Sequence, residues 1–172
     1  IYEQKERVVS GFIEKALHEY QIALALNNEE DSRNEADLLL NLGNGHYLLN
    51  NSLSAYHYYS KREDSPEPFL NPDREAVYRK RFGIAAFKSG PPLFAVTQFK
   101  KALQIEEKKN APGRQAELHD RIALAYQDHG DYAQAVEHFT KSLELNRQAG
   151  NEVSFSRTLR NIANNIYSGN QN

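Results

Sequence analysis

A chain of 172 residues that is 40% hydrophobic is not a disordered tail. A net charge of −2, with both signs spread along the sequence, argues against a dedicated nucleic-acid or membrane surface, and no apolar run approaches the roughly 20 residues of a membrane span. The absence of Cys excludes disulfides and thiol chemistry within the chain and makes the cytoplasm the default location.

In chain order, Ile1 to Ser10 reads as the end of a helix. Gly11 is the expected turn, and Phe12 to Leu26 the next helix, with Ile13, Ala16, Leu17, Tyr20, Ala23 and Leu24 inward. Asn27 to Ser32 is a polar loop with capping residues. Helices over Glu35 to Leu49 and Leu53 to Arg62 flank Asn50-Asn51-Ser52, where Asn replaces Gly because it tolerates the left-handed conformation. Ser65 to Pro72 carries three prolines and reads as an extended loop whose Phe69-Leu70 folds back on the scaffold. Asn71-Pro72 starts the helix Arg74 to Lys88, with Asn as N-cap and Pro in the first turn. Gly90-Pro91-Pro92 leads into Leu93 to Lys108, and Asn110 to Gly113 breaks that helix. Gln115 to His129 and Tyr132 to Gln148 form a pair around Gly130-Asp131, and Val153 to Tyr167 is a further helix before the Ser168 to Asn172 tail. Because Ile1 already lies inside a helical pattern, the chain is expected to be part of a longer protein.

These elements repeat. The turn residues Gly11, Asn50, Gly90 and Gly130 are spaced by 39, 40 and 40 residues. Five positions later come Ala16, Ala55, Ala95 and Ala135, and four beyond those Tyr20, Tyr59, Phe99 and Phe139. Leu42-Gly43, Phe82-Gly83, Ile122-Ala123 and Ile162-Ala163 form a matching column upstream. A small residue at a helix crossing permits close approach, and an aromatic side chain fills the space beside it. One helix pair cannot bury its apolar face alone, whereas stacked pairs can.

This pattern resembles the tetratricopeptide repeat, W-x2-L-G-x2-Y followed by A-x3-F and P. Leu42-Gly43, Phe82-Gly83, Tyr126 and the Ala-x3-aromatic pairs match it. Leu39, Arg79, His119 and Leu159 stand in the Trp slot, and the closing Pro column holds Glu107 and Arg147 in the last two full repeats. The long period and the tripeptide Leu42-Gly43-Asn44 are similar to the Leu-Gly-Asn branch of the family. The resemblance implies an all-α, right-handed superhelical solenoid of antiparallel helix pairs. The repeats are a partial unit 1–32, then 33–72, 73–112 and 113–150, and a terminal helix 151–168, which would cover the end of the array.

The chemistry-bearing residues point away from catalysis. The six histidines, His18, His46, His57, His119, His129 and His138, form no HExxH or comparable ligand spacing, and read as helix surface or partly buried packing. No GxGxxG, GxxxxGK or GxSxG occurs. Glu29-Glu30 and Glu106-Glu107 fall at solvated helix ends, unsuited to acid–base work. Arg79-Lys80-Arg81 points in three directions around a helix, so a solvated face is expected rather than a phosphate site. No enzyme activity, metal or cofactor is expected.

One set of columns stands out. Asn41, Arg81, Arg121 and Asn161 precede the small residue by two positions, and Asn44, Ile84, Leu124 and Asn164 follow it by one. Residues three apart share a helix face. The resemblance implies that this face of the first helices lines a concave groove. Lys80, Phe87, Lys88, Gln127, Arg157, Arg160 and Tyr167 join by phase. Asn can hold a peptide amide, and Arg a carboxylate in bidentate fashion. The expected peptide-binding set is therefore Asn41, Asn44, Lys80, Arg81, Arg121, Arg157, Asn161 and Asn164. The partner is a protein or extended peptide, with acidic character favoured. Asp37, Glu117, Asp120 and Asp128 lie close in phase and temper that preference. The alternative use of such an array is as a sensor that binds an effector and moves another domain of its parent protein.

Overall fold

The computed structural model describes residues 2–27 and 31–169. Ile1, the centre of the expected polar loop with its Glu29-Glu30 pair, and the tail residues 170–172 lie outside the described residues. The helices in order are α1 (Tyr2–Leu26), α2 (Ser32–Leu48), α3 (Ser52–Glu63), α4 (Pro72–Ser89), α5 (Pro92–Glu107), α6 (Pro112–His129), α7 (Tyr132–Gln148) and α8 (Glu152–Gly169), with no strand among the described residues. Each packs on its neighbours in sequence, and α2 also touches α4. The result is an α solenoid of antiparallel pairs.

Local chemistry sets the helix boundaries. Asn51, Asn71 and Asp131 cap α3, α4 and α7 by accepting first-turn backbone N–H groups, and Asp31 caps α2 in the same way. Pro72 and Pro112 open α4 and α6, where the missing N–H costs nothing. Asn50 and Gly130 take the left-handed φ values, 55° and 87°, that reverse the chain between paired helices.

The first expected turn is absent. α1 runs straight through Gly11, from Tyr2 to Leu26. The other three turn residues are followed by Asn51, Pro91 and Asp131, which begin a new helix, whereas Gly11 is followed by Phe12, which caps nothing. Outside its own helix backbone and chain neighbours, no atom lies within 4 Å of the position a Gly11 Cβ would occupy, so a side chain there would meet open space. An isolated Gly in a helix costs roughly 1 kcal/mol against Ala, too little to break it. Gly11→Ala should therefore raise the helical ellipticity of the chain without lowering its urea midpoint, whereas a true turn at Gly11 would give a loss. The uninterrupted helix also leaves Ala16 exposed instead of inward, although Leu17 is buried.

The core follows the repeat columns. Ala55, Ala95, Ala135, Tyr59, Phe99 and Phe139 are fully buried. The crossings are tight enough that a Cβ on Gly43 would lie 2.5 Å from the Tyr59 ring, and one on Gly83 2.5 Å from the Phe99 ring. In the Ser65 to Pro72 loop, Phe69 does fold back, its ring 4.9 Å from that of Tyr78 and beneath the Arg62 guanidinium at 4.3 Å. Leu70 does not; it is 79% exposed.

Candidate functional site

The first helices α2, α4, α6 and α8 present the face on which the candidate residues lie. The caps and prolines that start α4 and α6, and Asn151, whose Oδ1 accepts the Ser154 N–H at 3.1 Å, fix their rotation and so aim Arg81, Arg121 and Arg157.

A ladder of polar pairs crosses this face from one repeat to the next. Arg74 meets Asp37 at 3.3 Å, and Arg81 donates to Asn44 Oδ1 at 2.7 Å. Lys80 meets Glu117 at 3.1 Å, and Arg157 meets Asp120 at 3.5 Å. All four pairs are separated by 37 residues. That is one 40-residue period less about one helical turn, which is the offset between stacked first helices. Glu117 also accepts from Arg121 at 2.9 Å. Burial would raise the Glu117 pKa, but Arg121 and Lys80 outweigh it and hold the carboxyl below its ordinary value. Asp120 is buried, with its second partner in the Thr158 hydroxyl, which donates at 2.9 Å. Asn44 accepts from the Tyr59 hydroxyl as well as from Arg81, and burial pushes the Tyr59 pKa well up.

The structure brings part of the expected set together. Arg121, Arg157 and Asn161 converge with Arg160, Glu117 and Asp120 on a cavity of about 550 Å³ between α6 and α8. Asn41, Lys80, Arg81 and Asn164 lie outside it, and Asn44 lines a separate space of about 260 Å³ beside Arg74. The expected cations are thus partly engaged by the neighbouring repeat. Among the described residues, Asn41, Arg160, Asn161 and Asn164 have no side-chain partner. Sequence reasoning placed Glu117 and Asp120 near the face but did not see them as fixed partners of Lys80 and Arg157. The 37-residue spacing of complementary charges was the available signal.

Elsewhere the polar residues serve packing. Arg79, Lys80 and Arg81 do point apart, to Glu63 and Glu75, to Glu117 and to Asn44. Arg79 is not solvated as expected: its side chain is 12% exposed and it also donates to Gln98, filling the Trp slot with an ion pair. In the next repeat, His119 fills that slot against His138, Nδ1 to Nδ1 at 2.9 Å, both buried between α6 and α7. Burial pushes both pKa values down to about 4. Among the described residues no three His, Cys, Asp or Glu side chains are grouped to hold a metal ion, and no helix is long and apolar enough to cross a membrane.

Comparison with known proteins follows the same lines. No curated protein matches the chain. Among solved structures, it is similar to a Signal Transduction ATPase with Numerous Domains from Pyrococcus horikoshii that is described as having a tetratricopeptide repeat sensor. The TM-score is 0.71 and the identity 17%, over 94% of this chain and 25% of that one. It is also similar to BtubC from P. vanneervenii, with a TM-score of 0.62 and 13% identity, over 92% of this chain and 65% of that one. The chain thus spans a quarter of the first protein and under two thirds of the second, and at these identities the likeness is one of fold. Residues 73–166 match the tetratricopeptide repeat family itself, the stretch that holds the cavity and two of the four ladder pairs, Lys80–Glu117 and Arg157–Asp120. The chain belongs to the tetratricopeptide repeat family.

Proposed function

We propose that the chain is a non-catalytic scaffold, one array within a longer protein, that binds an extended acidic peptide along the groove formed by its first helices. The observation that carries this reading is the cavity between α6 and α8, where Arg121, Arg157, Arg160 and Asn161 converge. An extended strand has unpaired backbone amides, and Asn161 offers both a donor and an acceptor to them. Arg160 is uncommitted, and Arg121 and Arg157 each have donors left beyond their present partners. Asn41, Asn44, Lys80, Arg81 and Asn164 extend the same face toward both ends, for a peptide crossing several repeats.

The test is a fluorescence titration with a library of acidic peptides, followed by the variant Arg121→Ala plus Arg160→Ala. A charged hydrogen bond contributes about 1.5–3 kcal/mol, so binding of the best peptide should weaken at least tenfold and fall with added salt, while the melting temperature changes little. Unchanged affinity in that double variant would move binding off this cavity.

A second reading is favoured by one observation: this chain superposes over 94% of its length on part of a multidomain signalling ATPase described as carrying a tetratricopeptide repeat sensor. In that role the same groove would bind an effector and bias a neighbouring domain of the parent protein. Tethering the array to its natural flanking sequence and measuring whether peptide alters that sequence's activity separates the two.

A further inference from the structure

Arg62, on α3, is the one Lys or Arg that is buried among the described residues, at 6% exposure. Its setting differs from that of Arg79, which is sunk nearly as deep but is held by Glu63, Glu75 and Gln98. Among the described residues no carboxylate lies within ion-pair distance of Arg62. Its Nη2 donates to the Glu67 backbone carbonyl at 2.9 Å, and the face of its guanidinium covers the Phe69 ring. Its Nε–H is buried without an acceptor. A buried Lys or His in this setting could shed its proton. A guanidinium cannot, so the charge stays and calls for an anion.

A cavity of about 180 Å³ opens beside Arg62, between α2, the start of α4 and the loop 65–72. Ala36 and Arg62, both buried, lie on its inner side, and Pro68 and Phe69 add an apolar wall. The other charged residues that line it cancel in pairs. Arg33 meets Glu67 at 2.7 Å, and Arg74 meets Asp37 at 3.3 Å. The Ser32 hydroxyl also donates to Glu67, at 2.7 Å. The charge left over is the single one of Arg62. The walls come from α2, α3 and α4, each packed on a helix to either side, so the cavity does not owe its shape to either end of the chain.

We propose that this cavity binds a small organic monocarboxylate, with its carboxylate on Arg62 and its hydrocarbon part against Ala36, Pro68 and Phe69. A planar carboxylate matches a guanidinium edge, and one negative charge matches one unpaired positive charge. A dianion would bring its second charge up against Glu67 and Asp37. The size also selects. At about 30 Å³ for each water in the liquid, the space holds about six non-hydrogen atoms, which is a four-carbon acid and not a peptide strand. The site lies on other repeats than the cavity between α6 and α8 and does not depend on the peptide reading.

The test is an NMR titration of the isotope-labelled 172-residue chain with sodium butyrate, at ionic strength held constant with sodium chloride. The Arg62 Nε–H and Phe69 ring signals should shift together and saturate in the low millimolar range. Butyramide, similar in shape but uncharged, should move neither. Inorganic phosphate, succinate and an end-blocked peptide with a single Glu should bind at least tenfold more weakly than butyrate. Arg62→Gln, checked for its helices by circular dichroism, should lose at least tenfold in butyrate affinity by calorimetry. If that variant does not fold, the butyrate and butyramide titrations of the unmodified chain decide by themselves. Arg62 and Phe69 signals that butyrate leaves in place, equal shifts from butyramide, equal affinity for phosphate, succinate or the Glu peptide, or full affinity in a folded Arg62→Gln would each overturn the proposal.

Discussion

Phe139→Ala is expected to destabilise the protein by about 3–5 kcal/mol. Phe139 is fully buried, with Ala123 and Ala135 beside it and Tyr126 and Ile162 packed around the cluster. Removing the ring leaves a cavity at a helix crossing, and α6 and α7 cannot collapse into it without also shifting their contacts with α5 and α8. Urea unfolding followed by ellipticity at 222 nm measures the loss. The control is His129→Ala, an exposed change at the end of α6, which should stay within about 0.5 kcal/mol. Equal midpoints for the two variants would mean that the α7 face has been assigned the wrong rotation.

The second large effect is with pH. His119 and His138 share one Nδ1-to-Nδ1 contact in which one ring donates and the other accepts, so the accepting ring must be neutral and the contact is lost when both are protonated. Their pKa values, pushed down to about 4 by burial, lie below the 6.5 of an exposed imidazole. The unfolded chain therefore binds protons that the folded chain refuses. The stability these rings contribute is complete above pH 6.5 and is lost progressively as pH falls from there toward 4. With each unit of lowering worth 1.36 kcal/mol, the pair should cost roughly 2–4 kcal/mol between pH 7 and pH 5. His46, also lowered by burial, acts in the same direction. Glu63 and Glu117, held below their ordinary values, add their own loss only at lower pH. His119→Gln with His138→Gln should flatten the pH 5–7 limb of a melting-temperature profile; an unchanged slope would place the titration elsewhere.

The repeat was legible because a buried contact repeats itself in sequence. The Ala-x3-aromatic columns fixed the pairs α2–α3, α4–α5 and α6–α7, and α7 begins and ends at Tyr132 and Gln148 as expected. Gly11 misled because a column match was read without its context. A turn needs a residue that starts the next helix as well as one that ends the last, and Phe12 is not such a residue. The candidate groove was legible as a face and not as a set of contacts. Helical phase places Arg81 and Asn44 on neighbouring first helices, but whether they reach each other depends on the offset between repeats, which no single helix encodes. Burial of polar groups was the least legible feature. Nothing local distinguishes His119 and Asp120, both buried, from the exposed His129 and Asp128 a few residues on. Only the approach of α7 and α8 decides it.

The polar ladder between first helices has a mechanical meaning. Apolar packing along a solenoid resists separation but is tolerant of small changes in tilt, whereas a bridge such as Lys80–Glu117 or Arg157–Asp120 acts as a strut of fixed length on one side of the stack. On the proposed reading, an arriving carboxylate that takes over Arg157 releases Asp120 from its strut, and high salt slackens the same bridges without any ligand. If the proposed peptide occupies that cavity, its binding and the curvature of the array are coupled through the Arg157–Asp120 bridge.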